Sequence, residues 1–188
     1  MITRHFERQE SWLTLSDFSA LAISLAAIDG LAFYNGGQAA GASQGHKHLQ
    51  LVPLPLREKD GLRMPLEVFL TPQSLKAGQL DVPFLHSVVP LSIDWMAAPQ
   101  TIAMELSRCY RCLYAAVGLT EDDTPQPYNL LTTRRWMLLV PRLQESHACI
   151  SVNALGFAGS LFVRDRNQLD QLKQLGPMSL LQAVTYPR

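Results

Sequence analysis

Gly41-Ala42-Ser43-Gln44-Gly45-His46-Lys47-His48-Leu49-Gln50-Leu51 joins a loop of small and polar residues to an alternating run. His46, His48 and Gln50 fall on every second position. In an extended strand alternate side chains share a face. Two imidazoles and one amide then line up about 6–7 Å apart. Lys47, Leu49 and Leu51 turn the other way, and Lys47 is expected in solvent rather than in the chemistry. The loop before them offers closely spaced backbone N–H groups, the Ser43 hydroxyl and the Gln44 amide, enough to wrap an anion. A histidine row beside such a loop suits attack by imidazole on phosphorus.

Working outward, Leu31 to Asn35 reads as a strand, and His46 to Val52 as a second one closed by Pro53 and Pro55. They flank the small-residue loop that starts at Gly36, which predicts a wide hairpin. Before them, Leu15, Phe18, Leu21, Ala22, Leu25 and Ile28 recur at helical steps, so Ser11 to Asp29 is predicted as a helix. Thr14 or Ser16-Asp17 can cap its start and Gly30 can end it. Residues 56–83 carry prolines and little periodicity and read as loop with short elements. Phe84 to Leu91 is a predicted strand. Thr101 to Val117 is a predicted helix with Ile102, Leu106, Cys109, Leu113 and Ala116 on one face. Glu121 to Pro127 reads as a polar loop. Tyr128–Thr133 and Trp136–Pro141 read as strands of a hairpin with Arg134-Arg135 at its tip. A strand near Ser160–Val163 and a helix near Arg166–Leu175 complete the pattern. Mixed strands and helices with antiparallel hairpins predict an α+β fold.

Composition narrows the function. Lys+Arg and Asp+Glu are each 16, so the chain carries no net charge and no nucleic acid or anionic membrane is expected as partner. No apolar run is long enough to span a bilayer, and the first residues lack the apolar core of a signal peptide. Three cysteines, an odd count, fit a reducing cytoplasm. Cys109 and Cys112 stand in CxxC spacing, but on a predicted helix and without a second pair. A zinc reading of His46 and His48 needs at least a third protein ligand. None of His5, His86 and His147 lies in metal-ligand spacing, so no protein metal site is expected.

The run Asn35…Gly41-Ala42-Ser43-Gln44-x-His46-x-His48-x-Gln50 resembles the signature of the diadenosine tetraphosphate (Ap4A) phosphorylases, or ATP adenylyltransferases, of the histidine-triad superfamily. The resemblance continues in Tyr128-Asn129-Leu130-Leu131-Thr132, in Trp136…Val140-Pro141-Arg142, and in Asn153-Ala154-Leu155-Gly156-Phe157-Ala158-Gly159. It implies a HIT-like antiparallel sheet, a half-barrel, flanked by helices. It also implies one catalytic domain over 1–188, with the family's C-terminal region from about residue 84 to 188. Relatives look longer at the N-terminus, so the chain is expected to be an N-terminally truncated form. A homo-oligomer or a separately encoded N-terminal piece is then the expected complement.

The resemblance implies a nucleotidyltransferase that splits Ap4A with phosphate into ATP and ADP, reversibly, through an adenylyl-histidine. His48 is the implied nucleophile, His46 its support, and Gln50 the donor to a non-bridging phosphate oxygen. Asn35, Gly41, Ala42, Ser43 and Gln44 match nucleotide- or phosphate-contacting positions; Ala42 stands where relatives often carry Ser. Asn153, Ala154 and Leu155 match a second nucleotide-contacting stretch, with Ser160 and Arg164 at its outer positions. Arg164 replaces an expected Lys, which keeps the charge and changes its geometry. A divalent cation, Mg2+, is expected to travel with the nucleotide, with no organic cofactor. Hydrolysis with water as acceptor, and a catalytically impaired nucleotide-binding fragment, are the alternative readings.

Overall fold

The computed structural model of the protein describes residues 1–56, 61–119 and 125–188. Part of the predicted polar loop, 121–124, lies outside the described residues. The strands are β1 (Gly30–Gly36), β2 (Gln50–Pro53), β3 (Ser87–Pro90), β4 (Tyr128–Thr132), β5 (Trp136–Pro141), β6 (Ser146–His147) and β7 (Ile150–Ser151). The helices are α1 (Leu15–Ala27), α2 (Pro72–Ala77), α3 (Pro99–Ala116), α4 (Ala154–Ala158), α5 (Arg166–Leu175) and α6 (Pro177–Ala183). Five strands form one antiparallel sheet in the order β2-β1-β4-β5-β3, and β6 and β7 form a separate small hairpin. The predicted α+β class, an antiparallel sheet flanked by helices, is the one observed.

Both faces of the sheet are covered, which explains why its strands read as continuous apolar runs. Alternate residues feed two cores. Ala32, Tyr34, Leu130, Met137 and Leu139 pack under α1 and α3. Leu31, Phe33, Leu131, Trp136, Leu138 and Val140 pack under α4, α6 and the segment around Met64 to Phe84. Helix α1 starts on a capping box, in which Thr14 and Asp17 satisfy each other's backbone N–H. Gly30 does not end it. The helix stops at Ala27, and Gly30 opens β1, where a Cβ would lie 2.6 Å from the Val52 carbonyl.

The wide hairpin forms, with Gly30 opposite Pro53 and Phe33 opposite Gln50, but its second strand starts at Gln50 and not at the predicted His46. Arg134 and Arg135 occupy the β4–β5 tip and are both engaged. Arg134 donates to the Leu25 and Ala26 carbonyls at the end of α1, at 2.6 and 2.8 Å, and Arg135 pairs with Glu67 at 2.7 Å. No strand forms at Ser160–Val163. Leu161 and Val163 pack onto the second core and Phe162 faces out, so the alternation is real but no strand lies alongside to pair with. Ala116 is exposed; Tyr110 and Tyr114 complete the buried face of α3 instead. Among the described residues no helix is long and apolar enough to cross a membrane.

Candidate active site

The histidine strand leaves the edge of the sheet just before β2. Its outer neighbour is the N-terminal segment, which bridges at Ile2 to His48 and at Arg8 to His46. Alternation holds: His46 and His48 are half-buried, Gln50 is exposed, and Lys47 and Leu49 are buried. Lys47 is not solvated as its position in the row suggested. Its side chain has no exposure and sits 2.8 Å from Asp17 and 2.9 Å from Glu7, with its third donor on the Trp12 carbonyl at 2.6 Å. Three acceptors meet the three ammonium hydrogens, which is what lets a charge stay in the interior.

His48 Nδ1 lies 2.9 Å from the His46 carbonyl oxygen. That oxygen only accepts, so Nδ1 carries the proton in the neutral ring and the lone pair is left on Nε2. Nε2 takes no hydrogen bond from the described residues. The peptide of His48 is held as well: its N–H donates to Gln9 Oε1 at 2.9 Å. His46 is engaged in the N-terminal segment. Its Nε2 is 2.9 Å from the Thr3 hydroxyl and 3.3 Å from the His5 carbonyl, and the Phe6 ring lies against it.

The loop ahead of the row folds back over the chain near residue 152. Gly41 has φ +85°, and a Cβ there would come within 2.6 Å of the Val152 carbonyl, so only glycine allows the approach. Gly41 and Ser43 form one wall of a cleft of about 640 Å3 whose other walls include Asn153, Ser160 and Arg164. Five predicted binding residues, from two distant stretches, therefore line one cavity. Cys149, Phe162 and Gln168 also line it. Ala42, Ser43 and Gln44 line an adjoining cleft with Gly45, Glu10, Gln38 and Glu145. Ser43 and Glu145 belong to both clefts. His46, His48 and Gln50 line neither; they follow directly where the loop leaves them at Gly45.

Asn35 and Ala154 lie beneath the cleft rather than in its wall. The buried Asn35 Oδ1 accepts from Asn129 Nδ2 at 2.8 Å and from the Ala154 N–H at 2.9 Å. Asn153 caps α4, its Oδ1 taking the Leu155 N–H at 3.0 Å, and Leu155 packs on the second core. Under them sits Arg142, 1% exposed. Its guanidinium donates to Asn129 Oδ1 at 2.6 Å and to the carbonyls of Val152, Ala40, Gln144, Glu145 and Val184. Burial pushes its pKa down to about 10, which leaves it charged at neutral pH. Asn35, Asn129 and Arg142 thus bind the loop at Ala40 to the chain at Val152 and Ala154. Neither Arg142 nor Gln9 stood out in the sequence as a site residue. The Gln9 partners Asn35 and His48 lie 26 and 39 residues along the chain, and Arg142 gathers carbonyls from several segments at once, so no local spacing announces either role.

Comparison with known proteins shows the family. The model of the Ap4A phosphorylase N-terminal domain matches residues 1–72, and that of the ATP adenylyltransferase C-terminal domain matches residues 80–187. Diadenosine 5',5'''-P1,P4-tetraphosphate phosphorylase 2 of Saccharomyces cerevisiae is 32% identical over 97% of this chain, and the chain spans 64% of that relative's length. The crystal structure of yeast Ap4A phosphorylase Apa2 superimposes with a TM-score of 0.77 at 28% identity, covering 99% of this chain and 67% of the yeast one. The same yeast protein in complex with Ap4A gives a TM-score of 0.71 at 25% identity, covering 99% of this chain and 68% of the yeast one.

Proposed function

The chain belongs to the family of Ap4A phosphorylases and ATP adenylyltransferases, and from that membership we propose that it transfers an adenylyl group from Ap4A to phosphate. The observation that carries the reading is the 2.9 Å contact of His48 Nδ1 with the His46 carbonyl, which favours the tautomer whose Nε2 lone pair is open to substrate beside the anion loop. Nε2 attacks the α-phosphorus; the P–N bond forms as the P–O bond to ATP breaks. A phosphate oxygen then attacks the adenylyl-histidine, the P–N bond breaks, and ADP leaves. Splitting the displacement in two gives ping-pong kinetics. Gln50, exposed at the start of β2, donates its amide to the phosphoryl oxygens as charge gathers there. Gly41, Ser43, Asn153, Ser160 and Arg164 hold the nucleotide in the larger cleft, and Ala42 and Gln44 meet its phosphates.

A divalent cation enters with the substrate. The loop cleft presents Glu10 and Glu145, and no Lys or Arg is among its lining residues. A polyphosphate beside two carboxylates requires a counter-charge, and Mg2+ supplies it. Three free thiols, two of them exposed, fit a reducing cytoplasm.

The test is turnover of Ap4A by the purified chain with Mg2+ and phosphate. ATP and ADP are the expected products. ATP and AMP would assign water as the acceptor, and no turnover would overturn the reading. Cys149 checks the binding cleft: AMP should slow its alkylation, read by mass spectrometry, and leave that of the exposed Cys112 unchanged.

A further inference from the structure

The antiparallel ladder between β1 and β2 runs from Gly30 opposite Pro53 to Phe33 opposite Gln50. Two residues further, the same register would set Asn35 opposite His48. That pair does not form. The fully buried side chain of Gln9 stands in its place. Gln9 Oε1 accepts the His48 N–H at 2.9 Å, and Gln9 Nε2 donates to the Asn35 carbonyl at 2.7 Å and to the His48 carbonyl at 3.3 Å. A primary amide offers one acceptor and two donors. Here it serves both strands as a neighbouring peptide would, and keeps them further apart than the ~4.8 Å of a direct ladder.

The wedge is itself fixed. The Gln9 N–H donates to the Gly45 carbonyl at 2.9 Å, and its C=O accepts the Tyr34 hydroxyl. Burial drives the Tyr34 pKa up, so that hydroxyl stays a donor. On the other edge of the histidine strand, the N–H groups of Lys47 and Leu49 go to Glu7 and Met1, at 2.8 and 2.9 Å. The strand is thus bonded outward at Lys47 and Leu49 and inward, at His48, through one side chain.

We infer that Gln9 is the positioning residue of the reaction. It splays the sheet at His48, fixes the peptide that bears the imidazole, and ties it to Gly45, where the anion loop ends. The assignment rests on His48 being the nucleophile, but its structural half can be read without turnover.

The experiment compares the wild type with Gln9→Met, which keeps the length and removes the hydrogen bonds. Amide hydrogen exchange should show His48 protected in the wild type and at least about tenfold less protected in Q9M, with Lys47 and Leu49 unchanged. In turnover, kcat should fall about 10- to 100-fold, the scale of a misplaced reacting group, with KM within twofold. Equal protection of His48, kcat within twofold, or a rise in KM alone would each overturn the inference. If the wild type turns over no Ap4A, the functional reading fails, and the exchange pattern still decides the placement of His48. If Q9M does not fold, Gln9→Glu serves. A buried carboxyl has a raised pKa, and only its protonated form keeps both donor and acceptor. The ratio of Q9E to wild-type kcat should then rise as pH falls, and a ratio flat with pH would refute the role.

Discussion

His48 and His86 show one side chain turned to two uses by its surroundings. Each lies with Nδ1 near the carbonyl two residues earlier, His46 at 2.9 Å and Phe84 at 2.8 Å. In His86 the other nitrogen is consumed, accepting the Leu80 N–H at 2.7 Å; in His48 it takes no hydrogen bond from the described residues. His48→Ala should lower kcat by more than about 1,000-fold, over 4 kcal/mol of barrier, and shift Tm by less than about 2 °C, since the ring makes only a local bond. Retention of a tenth of the activity would sink the nucleophile. Gln50→Ala should cost about 10- to 100-fold in kcat with KM nearly unchanged, and a pure KM effect would make Gln50 a binding residue only. His86 sets a pH dependence of stability. Burial lowers its pKa in the fold, while the unfolded ring titrates near 6.5. As pH falls below about 6.5 the unfolded chain takes up a proton that the fold refuses, so stability present above that pH is lost toward acid, at up to about 1.4 kcal/mol per pH unit. Urea midpoints at pH 7.5 and 5.5 should separate less in His86→Gln than in the wild type; an equal separation would clear His86 of the effect.

At the level of elements, the back of the histidine strand is joined to α1 and to the N-terminal segment by Lys47. Lys47→Met should destabilise by about 3–5 kcal/mol, because Asp17 and Glu7 are left facing an apolar group. Adding Asp17→Asn should recover part of the loss in urea denaturation. Simple additivity of the two changes would show that the pair is not coupled. This element also shows what sequence could and could not tell. Period two in His46-x-His48-x-Gln50 placed the row on one face, and the helix expected near Arg166–Leu175 is α5. The same period put Lys47 opposite the row, but opposite turned out to mean buried, because α1 and residues 1–9 cover that side. Ser160 to Val163 alternates like a strand and is none, for want of a neighbour. Local pattern reports which side chains share a face; it does not report what that face meets.

On the scale of the whole molecule, the two segments matched by separate family models share one sheet. Strands β1 and β2 belong to the first, and β3, β4 and β5 to the second. Asn35, Asn129 and Arg142 lock them together under the cleft. Arg142→Met would strand six acceptors, and a loss of about 4 kcal/mol or more is expected, with faster alkylation of Cys149 as the β6–β7 hairpin loosens. Arg142→Lys should recover only part, having fewer donors in a different geometry. A loss below about 1 kcal/mol would show that the lock is elsewhere. The interleaving of β1 with β4 also sets a schedule for the ribosome. Asn35 leaves the exit tunnel 94 residues ahead of Asn129, which at 5–20 residues per second is a wait of roughly 5–20 s. For that interval β1, buried along its whole length in the fold, lacks the strand on its β4 side. Until β4 arrives that apolar strand is left without its neighbour, and the histidine strand is made long before the floor that will support it.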